Sequence, residues 1–140
     1  MTQSQHAQLQ QLEETLTQFE ALISALPPSG LDWSGAEGEW SIRSIIHHLT
    51  DDCNAWLINI EKGLATPGCK ITFGEFIGND PWAEQLAFDQ RPVGPALALI
   101  RAQRDFLVEL AGFFPERWEN TVAFYNTEGE FRGERSVGHL

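Results

Sequence analysis

Cysteine is scarce in this chain. Cys53 and Cys69 are too few for a disulfide framework, and their spacing matches no metal-ligand pattern. Both read as ordinary thiols, one half-buried on a helix and one in a loop. Basic residues are scarce as well: 9 Lys and Arg against 20 Asp and Glu leave a formal charge of -11. A surface that negative repels phosphate backbones and anionic lipid, which argues against nucleic acid and membrane surfaces as partners. No apolar run approaches the length of a membrane span, and the N-terminus is polar without an apolar signal core. The chain is therefore expected to be soluble and cytoplasmic. It also lacks a glycine-rich phosphate loop, an HExxH motif and a serine in a GxSxG elbow. A nucleophilic role for Cys53 would need a neighbouring base, and His47 and His48 do not stack over it on a helix.

What is present is an ordinary globular composition. With 140 residues, 42% hydrophobic and 21% charged, residues 1–140 are expected to form one domain able to bury a core. Leu9, Leu12, Leu16, Phe19, Ile23 and Leu26 recur at three- and four-residue steps and predict an amphipathic helix over residues 6–26, stopped by Pro27 and Pro28. A second helix opens at Ser41 as N-cap and runs through Ile42, Ile45, Ile46, Leu49, Cys53, Trp56, Leu57, Ile60 and Leu64 towards Gly63 and Pro67. Residues 65–92 read as an irregular connector whose Phe73, Phe76, Ile77, Trp82 and Phe88 give it apolar surface to pack. Pro95 suits the first turn of a third helix ending near Phe114. Residues 121–132 suit a hairpin or an ordered loop, and Ser136 looks like the N-cap of a further helix. Three helices with one apolar stripe each suggest an antiparallel bundle, and that last helix start suggests an architecture expecting a fourth.

Of the four histidines, His6, His47, His48 and His139, only the central pair lies in a strongly patterned segment. On a wheel of about 100° per residue, His48 and Asp52 stack four apart on one flank of the second helix. His47 points to the opposite flank, and Asp51 points away from the core. Two readings follow. His48 is a metal ligand at an interhelical cleft, with Asp52 a further ligand or the carboxylate that orients the imidazole. Otherwise the two form an ordinary i,i+4 pair on a half-exposed flank. Gln103 falls within the buried arc of the third helix, where an amide must find partners by lining a polar pocket or by bonding across the bundle.

The stretch Glu39-Trp40-Ser41-Ile42-Arg43-Ser44-Ile45-Ile46-His47-His48-Leu49-Thr50-Asp51 resembles the signature of the DinB-like superfamily: Trp-Ser, six residues, His-Leu, then an acidic patch. The order of elements is similar along essentially the whole chain, down to a short extended segment leading into Glu134-Arg135-Ser136-Val137-Gly138-His139-Leu140. The resemblance implies an all-α, up-down-down-up four-helix bundle, often dimeric. It implies a divalent metal such as zinc or nickel held by three histidines, one matching His48 and two in a His-x-x-x-His pair on the fourth helix. Characterised relatives include thiol-dependent S-transferases and other metal-dependent enzymes, so a low-molecular-weight thiol is a further candidate cofactor. The His-x-x-x-His pair has no match here, and His139 lies too early in the helix to supply it. The fourth helix is therefore expected to be truncated and the metal site incomplete within one copy.

The function expected on this resemblance is divalent-metal-dependent transfer or hydrolysis on a small molecule. His48 and Asp52 would act at the metal, with Trp56, Gln103 and Trp82 lining the pocket. The competing reading is a metal-free helical bundle serving as a dimeric binding or interaction module. Helical stripes left partly uncovered would favour a homodimer, with the C-terminal segment a candidate for exchange between chains.

Overall fold

The computed structural model describes residues 3–74 and 77–140, with side chains from residue 7 onward. The side chain of His6 and the whole of Phe76 lie outside the described residues. Helix α1 spans Gln3–Ala25. Every member of its predicted stripe, from Leu9 to Leu26, is half-buried, and none is fully covered. Helix α2 spans Ile42–Ala65, and Ser41 caps it as expected: its hydroxyl accepts the Ser44 N–H. Helix α4 spans Gly94–Phe113 with a proline in its first turn, and between them lies a short helix α3, Asn79–Gln85.

Helix α4 packs against both α2 and α1. Arg101 of α4 also holds Glu20 of α1 in an ion pair. An apolar cleft therefore opens along the three helices. The main core lies towards one end, where Ile60 and Leu64 of α2 and Ala111 of α4 meet Ile71, Trp118, Val122 and Val137.

Ile71 and Val122 belong to a sheet, which corrects the all-α expectation. Strands β1 (Lys70–Thr72), β2 (Thr121–Tyr125) and β3 (Phe131–Ser136) form one sheet in that order. β1 runs parallel to β2, with Ile71 opposite Phe124, and β3 runs antiparallel to it, with Thr121 opposite Ser136. The hairpin between β2 and β3 closes through Asn126, whose backbone N–H bonds the Glu130 carbonyl, and turns at Gly129, φ 80°. β1 lies within the stretch read as an irregular connector. Three residues are too few to show a hydrophobic period, and their pairing partners lie some fifty residues away.

Asn120 ties the sheet to the helices. Its Nδ2 donates to the Gly63 carbonyl at 3.1 Å, and its own carbonyl accepts the Val137 N–H at 2.7 Å. Where a further helix was expected to open, the described residues form a single 3-10 turn, Val137–His139. Ser136 Oγ meets His139 Nδ1 at 2.6 Å and makes no side-chain cap. Among the described residues, no helix is long and apolar enough to cross a membrane.

Candidate metal and ligand site

The i,i+4 geometry expected of α2 is present: His48 Nε2 and Asp52 Oδ2 lie 3.3 Å apart. His48 is half-buried, and the Trp40 indole packs against its ring in a T-shaped arrangement, with centroids 4.9 Å apart and planes at 82°. Trp40 just precedes the Ser41 cap, so the start of α2 fixes the wall against which the imidazole rests. Trp40 is itself held, since its Nε1 donates to Asp80 Oδ1 of α3 at 2.8 Å. In return, Trp82 of α3 donates its Nε1 to Asp51 Oδ2 of α2 at 2.8 Å. These two reciprocal indole–carboxylate bonds clasp α3 across the N-terminal half of α2. Asp51, expected to point away from the core, is one half of the clasp.

The next histidine is the more buried one. His47, expected on the opposite flank, is 3% exposed and meets the Arg91 carbonyl through Nε2 at 3.3 Å. Its ring lies against Phe88, with centroids 5.5 Å apart. A wheel drawn from α2 alone places the two histidines on different flanks, but it cannot tell which flank the connector will cover. Burial lowers the His47 pKa below its ordinary value, and the bond to the Arg91 carbonyl opposes that effect.

The cleft between α1, α2 and α4 holds a cavity of about 410 Å³. That is ample for a small molecule. Its walls are mostly apolar, and Gln8, Asp52, Cys53, Gln103 and Arg104 supply its polar side chains. Of the residues expected to line a pocket, Trp56 and Gln103 do face this cavity, whereas Trp82 is absent from its walls. Trp82 lies in the α3 clasp instead. His48 is likewise absent from the walls and reaches the cavity through Asp52. Gln103 does both things open to it, lining the cavity and donating Nε2 across the bundle to Asn54 Oδ1. Its Oε1 is buried without a partner among the described residues, as is Trp118 Nε1. Burial pushes the Cys53 thiol up, partly offset by the Arg104 guanidinium, whose Nη2 lies 3.7 Å from Sγ.

The family model described as DinB superfamily matches residues 11–140. The chain belongs to the DinB superfamily. No curated protein matches it. Among solved structures it is similar to YfiT from Bacillus subtilis, with a TM-score of 0.78 and 18% identity over 99% of this chain and 76% of that one. YfiT is described as a probable metal-dependent hydrolase with an unusual four-helix bundle topology. At that identity the likeness carries the fold.

His48 and Asp52 alone do not complete a metal site of the DinB kind. An open catalytic centre takes three protein ligands, and His48 and Asp52 would be two of them at most. Among the described residues, no third His, Cys, Asp or Glu gathers with them. Sequence reasoning missed Asn54 and Asp80, each recognisable only through a partner on another element. It also missed the burial of His47, for which the aromatic richness of the connector was the available signal.

Proposed function

We propose that this DinB-superfamily chain takes part in divalent-metal-dependent chemistry on a small molecule, of the hydrolase or thiol S-transferase type. The carrying observation is the His48–Asp52 pair at 3.3 Å, with Asp52 on the wall of an apolar cavity of about 410 Å³. His48 and Asp52 would supply the α2 ligands for zinc or nickel, with water or a second copy of the chain supplying the rest. Trp40 would fix the ring against rotation, as groups around a metal ligand commonly do. A divalent metal with an open position lowers the pKa of bound water or of a thiol, and a low-molecular-weight thiol fits this scheme as co-substrate. Trp56, Gln103 and the apolar walls would bind and orient the substrate.

Metal analysis after dialysis against zinc or nickel, on the wild-type chain and His48→Ala, tests the reading. Metal retained by the wild type and lost from the variant is the expected result. Equal, negligible metal in both removes the metalloenzyme reading and leaves the i,i+4 pair as a surface contact worth a few tenths of a kcal/mol, roughly the usual helix-pair value.

A second reading rests on another observation. Leu99, Phe106 and Phe113, seven residues apart on α4, are 42%, 37% and 74% exposed. An uncovered apolar stripe of that kind suits a homodimeric binding module. It is compatible with either metal outcome.

A further inference from the structure

A second groove of about 410 Å³ lies beyond the wall formed by Trp56 and Leu140, and its chemistry is different. One side is aromatic. Trp56 of α2 and Phe73, just after β1, have ring centroids 5.1 Å apart; Phe73 and Phe124 of β2 stack at 5.4 Å with planes 20° apart. Three elements thus contribute to one continuous apolar wall. The other side is basic, lined by Arg132 and Arg135 of β3 and by His139 of the 3-10 turn.

That clustering runs against the charge of the whole chain, which has 9 Lys and Arg against 20 Asp and Glu. Local geometry leaves the donors available. Arg132 pairs with Glu130 at 3.2 Å, but both side chains are about 60% or more exposed, and such a pair is weak. Arg135 donates Nη1 to the Glu134 carbonyl, which leaves the other edge of its guanidinium unused. When Ser136 gives its hydroxyl hydrogen to His139 Nδ1, the neutral ring carries its own proton on Nε2. The residue paired with Phe124 across β2 and β3 is Gly133, φ 132°, so no side chain covers the ring from that position. A Cβ at Gly133 would stand 3.6 Å from Arg135 Nη1, which places the guanidinium beside the gap.

We propose that this groove binds a small aromatic oxyanion, a ring carrying a carboxylate or a phosphate. The Trp56–Phe73–Phe124 wall takes the ring, and Arg132, Arg135 and His139 take the anionic group. Guanidinium suits both head groups because its paired N–H donors match two oxygens at once. The inference stands apart from the metal reading, since neither His48 nor Asp52 lines this groove.

Phenyl phosphate, benzoate, inorganic phosphate and benzyl alcohol are titrated into the full chain, with backbone amide shifts of residues 121–139 as the readout. Saturable shifts with phenyl phosphate or benzoate are expected, and the tighter of the two identifies the head group. Inorganic phosphate lacks the ring and benzyl alcohol lacks the charge, so each is expected to bind at least about tenfold more weakly. The double variant Arg132→Gln, Arg135→Gln should lose at least about tenfold while keeping its circular dichroism spectrum, because both side chains are exposed. Phe73→Ala, at a partly exposed ring, should weaken the aromatic ligand and leave inorganic phosphate unchanged. Undiminished binding by the double variant, benzyl alcohol binding as tightly as the anions, or no saturable shift with either aromatic anion would each overturn the proposal. His48→Ala leaves these titrations unchanged, which separates a failure here from a failure of the metal reading.

Discussion

His47 and His48 are adjacent in the chain and meet opposite conditions. His48 is half-buried beside a carboxylate, while His47 is 3% exposed against Phe88 and the Arg91 carbonyl. Burial favours the neutral His47 ring and holds its pKa below the ordinary value of 6.5. The sign of the linkage follows from that direction. The stabilisation is complete above the unfolded value and is lost as pH falls through the lowered folded value, because the unfolded chain binds the proton first. Thermal melts between about pH 7.5 and about pH 5 should therefore show a smaller fall in Tm for His47→Gln than for the wild type. Identical falls in both proteins would mean that His47 protonates without cost in the fold. The variant should also start from a lower Tm at the upper pH, since glutamine cannot reproduce the ring packing on Phe88.

At the scale of elements, local pattern was legible wherever one element carries its own signal. The α1 stripe, the Ser41 cap, the proline at the start of α4 and the hairpin after Thr121 are all readable from neighbours within a few residues. Elements defined by distant partners were not. β1 is a strand only because β2 pairs with it, and α3 is placed by Trp40, Asp80, Trp82 and Asp51 from separate stretches. The candidate site divides the same way: the His48–Asp52 spacing is local, whereas the cavity and its Gln103–Asn54 bond need the packed bundle. Two substitutions probe these longer contacts. A Cβ at Gly63 would come within 2.5 Å of Val137 and 2.7 Å of Val122, both fully buried, so Gly63→Ala should cost about 1–3 kcal/mol in denaturant melts. A stability equal to wild type would mean that α2 can move off the sheet freely. Trp82→Phe keeps a ring but loses the bond to Asp51, worth about 1 kcal/mol. Amide exchange across residues 79–92 should quicken while global Tm changes little. Unchanged exchange would show that the Trp82–Asp51 bond is not what holds α3, the Trp40–Asp80 bond and packing being enough.

For the whole molecule, the uncovered apolar surface and the net charge pull in opposite directions. A charge of -11 favours separate, soluble chains through mutual repulsion. The α1 stripe is nowhere fully buried, and α4 presents Leu99, Phe106 and Phe113 outward in a seven-residue repeat. Spacing by seven returns to nearly the same side of a helix, so these residues form one strip instead of scattered contacts. Two copies related by a twofold axis can cover that strip with itself, because a self-complementary patch needs no second surface. Added sodium chloride screens charge repulsion and does not weaken apolar burial. We therefore predict a homodimer through α4 whose association tightens as ionic strength rises. Light scattering at micromolar concentration, repeated at low and high salt, should show mass moving from monomer towards dimer. Phe106→Glu puts a carboxylate in the centre of the strip, at a residue already 37% exposed, so the fold should survive while the dimer does not. A clean monomer for the wild type at both salt concentrations would sink the prediction. So would a dimer that Phe106→Glu leaves intact, since the contact would then lie elsewhere on the chain.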